Sequence, residues 1–114
     1  MRSFLIPVIL AGLASPAFAG DRTGYQAIAT GDLRAAEATL NAERRIFPDR
    51  PELMLNLAAV YGRTGRVEAA RALYTAVLER PDVSMLMPSG EAASSHALAT
   101  RGLGQSASAV LATR

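Results

Sequence analysis

Few side chains in this sequence are equipped for chemistry, and their spacing limits what they can do. His96 is the only histidine and there is no cysteine. Ser94-Ser95-His96 brings hydroxyl nucleophiles and an imidazole base together along the chain. Neighbouring residues on a helix point in different directions, however, and no third group or oxyanion donor accompanies them. The triplet therefore reads as the polar start of a helix. With no thiolate and no acidic pair at ligand spacing beside His96, no metal site is expected. Glu37, Glu43, Glu52 and Glu68 occupy helical, solvated positions and do not form a facing acid–base pair. Gly102-x-Gly104 lacks the preceding strand of a phosphate-cradling loop. Arg44-Arg45 closes a helix, where positive charge complements the dipole. Two residues suit recognition: the Asn56 amide can bind a peptide backbone, and Arg63 can grip a carboxylate with two parallel hydrogen bonds. The chain is expected to be non-enzymatic and to need no cofactor.

The N-terminus belongs to a different category from the rest. Met1-Arg2-Ser3 carries one positive charge, Phe4 to Leu13 is apolar apart from Pro7 and Gly12, and Ala17-Phe18-Ala19 is a small-x-small cleavage signal. That order describes a secretory signal peptide over residues 1–19, cleaved after Ala19. The apolar run is shorter than the roughly 20 residues of a membrane-spanning helix, so no stable membrane anchor is expected after cleavage. About 95 of the 114 residues remain, enough for one small domain that no disulfide can brace. All 12 basic residues are arginine and alanine is abundant, which suggests a GC-rich bacterial genome and a periplasmic or secreted product. Loss of Arg2 leaves 11 arginines against 10 acidic residues, a net charge near +1. The arginines are scattered, so no basic stripe for nucleic acid is present.

The elements that must position these residues are set by an internal echo. Gly31-Asp32-Leu33-Arg34-Ala35-Ala36-Glu37 recurs 34 residues later as Gly65-Arg66-Val67-Glu68-Ala69-Ala70-Arg71, and Leu40 maps onto Tyr74. A repeat of that period predicts stacked helix-turn-helix units. Tyr25 to Ala29 ends one helix, and Asp32 caps the next, which Pro48 stops. Pro51 opens a third, running to about Gly62, whose Leu53, Met54, Leu57, Ala58 and Tyr61 form an apolar stripe. Val67, Ala70, Leu73, Tyr74, Val77 and Leu78 form another stripe, ended by Pro81. Asp82 to Gly90 reads as an extended connector tucked against the preceding helices. Glu91 to about Leu103 reads as a further helix, weakened near its end by Gly102 and Gly104. Gln105 to Arg114 reads as a frayed or loosely docked tail. The expected fold is all-α, an antiparallel stack of four to five helices. Its repeats span residues 21–82, and a connector with a capping helix spans 83–114.

The segment from Glu52 to Pro81 resembles a tetratricopeptide repeat (TPR). Met54, Leu57-Ala58 and Tyr61 fall at the positions that family favours in its first helix, and Ala70 and Tyr74 at those of its second. Val77 is larger than the usual alanine, and Pro81 comes one residue early. The upstream copy keeps Ala36 and Pro48 but is truncated, and downstream only Leu98-Ala99 echoes Leu57-Ala58. The resemblance implies a groove lined by the first helix of each pair: Glu52, Leu55, Asn56, Ala59 and Arg63 in the complete copy, Tyr25 and Ala29 in the partial one. Leu55 lies off the main stripe, so it is either an exposed apolar contact or core beneath a neighbouring helix. The family implies a scaffold or adaptor that binds another protein or peptide, here in the bacterial envelope. With one complete copy and one partial copy, the stack needs finishing, by the 91–103 helix or by a second chain in a homo-oligomer.

Overall fold

The computed structural model describes residues 23–112, with side chains up to residue 107. The signal-peptide reading of residues 1–19 lies outside that span. Five helices and one hairpin follow in order among the described residues: α1 (Tyr25–Ala29), α2 (Leu33–Ile46), α3 (Pro51–Arg63), α4 (Val67–Leu78), β1 (Ser84–Leu86), β2 (Ala92–Ser94) and α5 (Ser95–Ala112). None of these helices is long and apolar enough to cross a membrane.

The echo marks the turns inside the two helix pairs. Gly31 and Gly65 sit at φ 85° and 84°, a left-handed conformation that an L side chain resists. After Gly31, Asp32 caps α2 by accepting a hydrogen bond from the Ala35 N–H at 3.2 Å. The matching residue before α4, Arg66, makes no cap. Its guanidinium instead reaches back to Glu37 on α2 with two hydrogen bonds, at 3.0 and 2.6 Å. Position 66 therefore ties one repeat to the previous one, whereas position 32 starts its own helix.

α3 is central. It buries Leu53, Met54, Leu55, Leu57, Ala58 and Val60, residues that lie on two faces. Leu53, Leu57 and Val60 join Ala27, Ala36 and Leu40 in one core cluster. Met54, Leu55 and Ala58 join Ala70, Tyr74, Val77, Met85 and Ala99 in a second. Tyr61 and Leu73, both half-buried, pack against each.

Beyond α4 the structure corrects three expectations. The connector contains a strand: β1 pairs antiparallel with β2, Met85 opposite Ala93, and Met85 alone of the strand residues is buried. Val83 and Leu86 do not tuck in; they are 40% and 80% exposed. The last helix starts at Ser95 because residues 92–94 belong to the hairpin and Ser94 caps it, its hydroxyl accepting from the Ala97 N–H at 2.9 Å. It also passes through both glycines to Ala112, so Gln105 onward continues a helix, with Ser106 buried. Ala99 is fully buried, as Ala58 is, so the echo holds at the alanine, whereas Leu98 is half-buried against the second cluster and Leu57 fully buried in the first. The spacing between these pairs is 41 residues, seven more than the repeat, and the hairpin accommodates the difference. Since Met85 and Ala99 share a core with Met54, and Leu98 and Leu103 pack against it, the hairpin and the first part of α5 belong to the stack.

Candidate functional site

Gly102 shapes the site. A Cβ added there would lie 2.3 Å from Tyr74 Cζ and 2.5 and 2.6 Å from its Cε atoms, so the ring rests directly on the backbone of α5. Position 102 corresponds to Tyr61 one repeat earlier, three residues after the buried alanine in each case. A large side chain is thus replaced by none, and Tyr74 fills part of the gap. The unfilled part is a cleft of about 320 Å³ between α3, α4 and α5, bounded by Ala59, Gly62 and Arg63 on α3, Val67 and Tyr74 on α4, and Gly102, Gln105 and Ser106 on α5.

Tyr74, Gly102 and Ser106 are buried and form the floor, whereas Gly62, Arg63 and Gln105 are exposed at the rim. Burial pushes the Tyr74 phenol above its ordinary pKa, so it stays neutral. Among the described residues, Arg63 is the only charged one of the lining. One terminal nitrogen lies 3.5 Å from the Ile28 carbonyl, the outer limit of a hydrogen bond. Such a cleft offers an apolar slot with hydrogen-bonding groups at its mouth, which suits side-chain recognition.

The residues anticipated for the groove separate in space. Ala59 and Arg63 meet in the cleft. Leu55 is buried in the second core cluster, which settles its two readings in favour of core. The Asn56 amide donates to the Thr23 carbonyl at 2.8 Å, holding the chain before α1 against α3. Glu52 borders a different recess, of about 480 Å³, beside Ile46, Phe47 and Val83. Tyr25 is 44% exposed on α1, and Ala29 is exposed at its end. The floor residues Tyr74, Gly102 and Ser106 were absent from that expectation. The signal available for them was the glycine standing where the repeat has Tyr61.

The Ser94-Ser95-His96 triplet is structural. Ser95, fully buried, accepts from the Val83 N–H at 2.9 Å and donates to Asp82 at 3.3 Å. Asp82 also accepts from the His96 N–H at 3.0 Å, and this backbone bond leads the interactions that hold its carboxyl below the ordinary value. His96 Nε2 lies 2.6 Å from the Arg80 carbonyl; since a carbonyl only accepts, Nε2 carries the proton. All of these groups splice the hairpin onto α5.

Residues 27–86, just over half of the chain, match the family described as tetratricopeptide repeat. Neither curated proteins nor solved structures gave a significant match. Repeats of this family generally mediate protein–protein interaction and are typically non-enzymatic. With the 34-residue echo, its paired helices and this match in agreement, the chain belongs to the tetratricopeptide repeat family.

Proposed function

We propose that the protein is an exported, non-enzymatic adaptor of the bacterial envelope that binds a segment of another protein in the α3–α4–α5 cleft. The observation that carries this reading is the cleft itself, a space between three helices with a buried floor of Tyr74, Gly102 and Ser106. Self-association would serve a stack that lacked a closing element. The hairpin and α5 supply Met85 and Ala99 to the core from within the chain, so a second copy is not needed for that purpose.

The test is site-specific photocrosslinking in cells that export the full chain. A benzophenone amino acid at Gln105, on the rim, should give a discrete adduct with a partner, and one at exposed Ala72 on α4 should not. Equal labelling from both positions, or none from Gln105, refutes the site. Export is tested by the N-terminus of the protein recovered from the periplasm, expected at Gly20. An N-terminus retaining residues 1–19 refutes the proposed cleavage.

A further inference from the structure

The outer side of β1 is a bare strand edge. The bonds that flank the ladder, from Met87 N–H to the Glu91 carbonyl and from Ser95 N–H to the Val83 carbonyl, are both 2.8 Å. Antiparallel alternation then gives Met85 and Ala93 the inward bonds and turns the N–H and C=O groups of Ser84 and Leu86 away from β2. Among the described residues these outward groups have no partner. Natural sheet edges are blunted by charge, proline or a bulge. Here both outward residues are neutral and exposed, and Leu86 shows 80% of its surface to solvent.

The edge leads into a recess. Val83 precedes β1 by one residue, so by strand alternation it shares a face with Met85. It walls the 480 Å³ recess with Ile46, Phe47 and Pro51, and a neighbouring one of about 240 Å³ with Pro51, Val77 and Pro81. Ile46, 64% exposed, extends the apolar rim. The charge of this region is lopsided. The hairpin's charged residues, Asp82 and Glu91, are both acidic, and among the described residues neither they nor Glu52 at the recess has a salt bridge. The recess arginines are engaged: Arg80 pairs with Asp49, and Arg50 lies 3.9 Å over the Phe47 ring.

We propose that an extended, basic segment of a partner protein adds to β1 as a third strand and seats an apolar side chain in the recess at Val83. Main-chain bonds to Ser84 and Leu86 supply affinity, and the recess and the carboxylates supply selectivity. An added strand puts alternate side chains on the face that Val83 and Met85 share, which delivers one of them to the recess. Lys or Arg next to it meets Asp82 and Glu52. A second copy is the poorer occupant. Pairing β1 with β1 joins strands of three residues, far short of the roughly 800 Å² per partner of a stable interface, and sets acidic hairpin against acidic hairpin. This edge is separate from the α3–α4–α5 cleft, whose lining includes none of Val83, Ser84 and Leu86.

The test selects a random heptapeptide library on the purified full chain and compares wild type with Leu86→Pro. Proline removes the N–H of residue 86, which faces outward, and leaves the ladder to β2 in place. The expected peptides alternate apolar and polar residues, carry Lys or Arg, and bind Leu86→Pro about tenfold more weakly or worse. Their binding should slow exchange of the Ser84 and Leu86 amides about tenfold and leave the amides around Gly102 unchanged. If Leu86→Pro disturbs the fold by circular dichroism, peptides N-methylated at alternate residues replace it, with loss expected for one alternation only. Peptides that bind both proteins alike, that protect other amides, or that survive either alternation of N-methylation overturn the strand addition. A selection that yields no peptide overturns it too. Enrichment of Asp or Glu overturns the basic segment. A dimer in sedimentation that Leu86→Pro abolishes gives the edge to a second copy and overturns the partner.

Discussion

Replacing Gly102 by alanine sets two physical effects against each other. In an exposed helix interior, glycine to alanine stabilises by about 1 kcal/mol, because glycine loses more backbone entropy on folding. At Gly102 the new methyl would sit 2.3 to 2.6 Å from three atoms of the Tyr74 ring, where ordinary contacts begin near 3.4 Å. The ring or α5 must therefore move by about 1 Å, and forced overpacking of this kind costs about 1–3 kcal/mol. The net expectation is destabilisation of up to about 2 kcal/mol, or roughly 4–8 °C in Tm per kcal/mol for a domain this small. Gly104 is the internal control: it lies on the same helix, and its added Cβ meets nothing within 4 Å. Gly104→Ala should raise Tm. Both variants are measured by thermal and urea denaturation, followed by circular dichroism. A third variant, Gly102→Ala combined with Tyr74→Leu, removes the ring, so the alanine should become neutral or favourable there. If Gly102→Ala is as stable as wild type or better, the ring does not rest on α5 and the origin of the cleft given above is wrong.

Three further outcomes follow from contacts at the two ends of the stack. Ser95→Ala removes a fully buried hydroxyl that serves both Val83 and Asp82, and should cost about 1–2 kcal/mol by urea denaturation. A cost near zero would mean the splice is not held there. Asn56→Ala frees the Thr23 carbonyl, and amide exchange in α1 should accelerate several-fold while α4 is unchanged. Uniform acceleration would refute a local tether. Asp82 and Glu37 both have carboxyls held below their ordinary values of 3.8 and 4.5, by the His96 N–H and by Arg66 respectively. Their stabilisation is therefore complete above those values and is lost as pH falls through the lower folded-state pKa values. Tm should hold between about pH 7 and 5 and drop below about pH 4, and the gap between wild type and Asp82→Asn should narrow there. A gap that is constant with pH would sink the assignment.

The repeat was legible because its signals are local and doubled. Gly31 and Gly65, Asp32, Pro48 and Pro51 each restrict a turn or a helix end by their own stereochemistry, and α3 begins at Pro51 as anticipated. The hairpin was not legible. Three-residue strands with one buried residue, Met85, are too short to show alternation. The start of α5 combines a local cap, Ser94, with Asp82, fourteen residues upstream, accepting from the His96 N–H, and only the first of these is within reach of helix-start rules applied along the sequence. Helix propensity marks Gly102 as a weak point, while its actual role is set by a ring on another helix. The site was half visible for the same reason. Ala59 and Arg63 follow from repeat position, but the floor exists only where three helices converge.

The division of the core has a consequence for how the domain comes apart. α3 contributes alternate faces to two clusters, and among the described residues only Tyr61 and Leu73 pack against both. In a stack of this kind, stability is a chain of nearest-neighbour terms, so parts can open separately. The α1–α2 edge can peel away and leave the α3–α4–α5 cleft intact, because none of the cleft's walls comes from that edge. α3 cannot leave without dissolving both clusters, so its amides should be the last to exchange. The binding surface would then outlive the integrity of the first repeat, like a hinge leaf that stays fixed after the door is lifted.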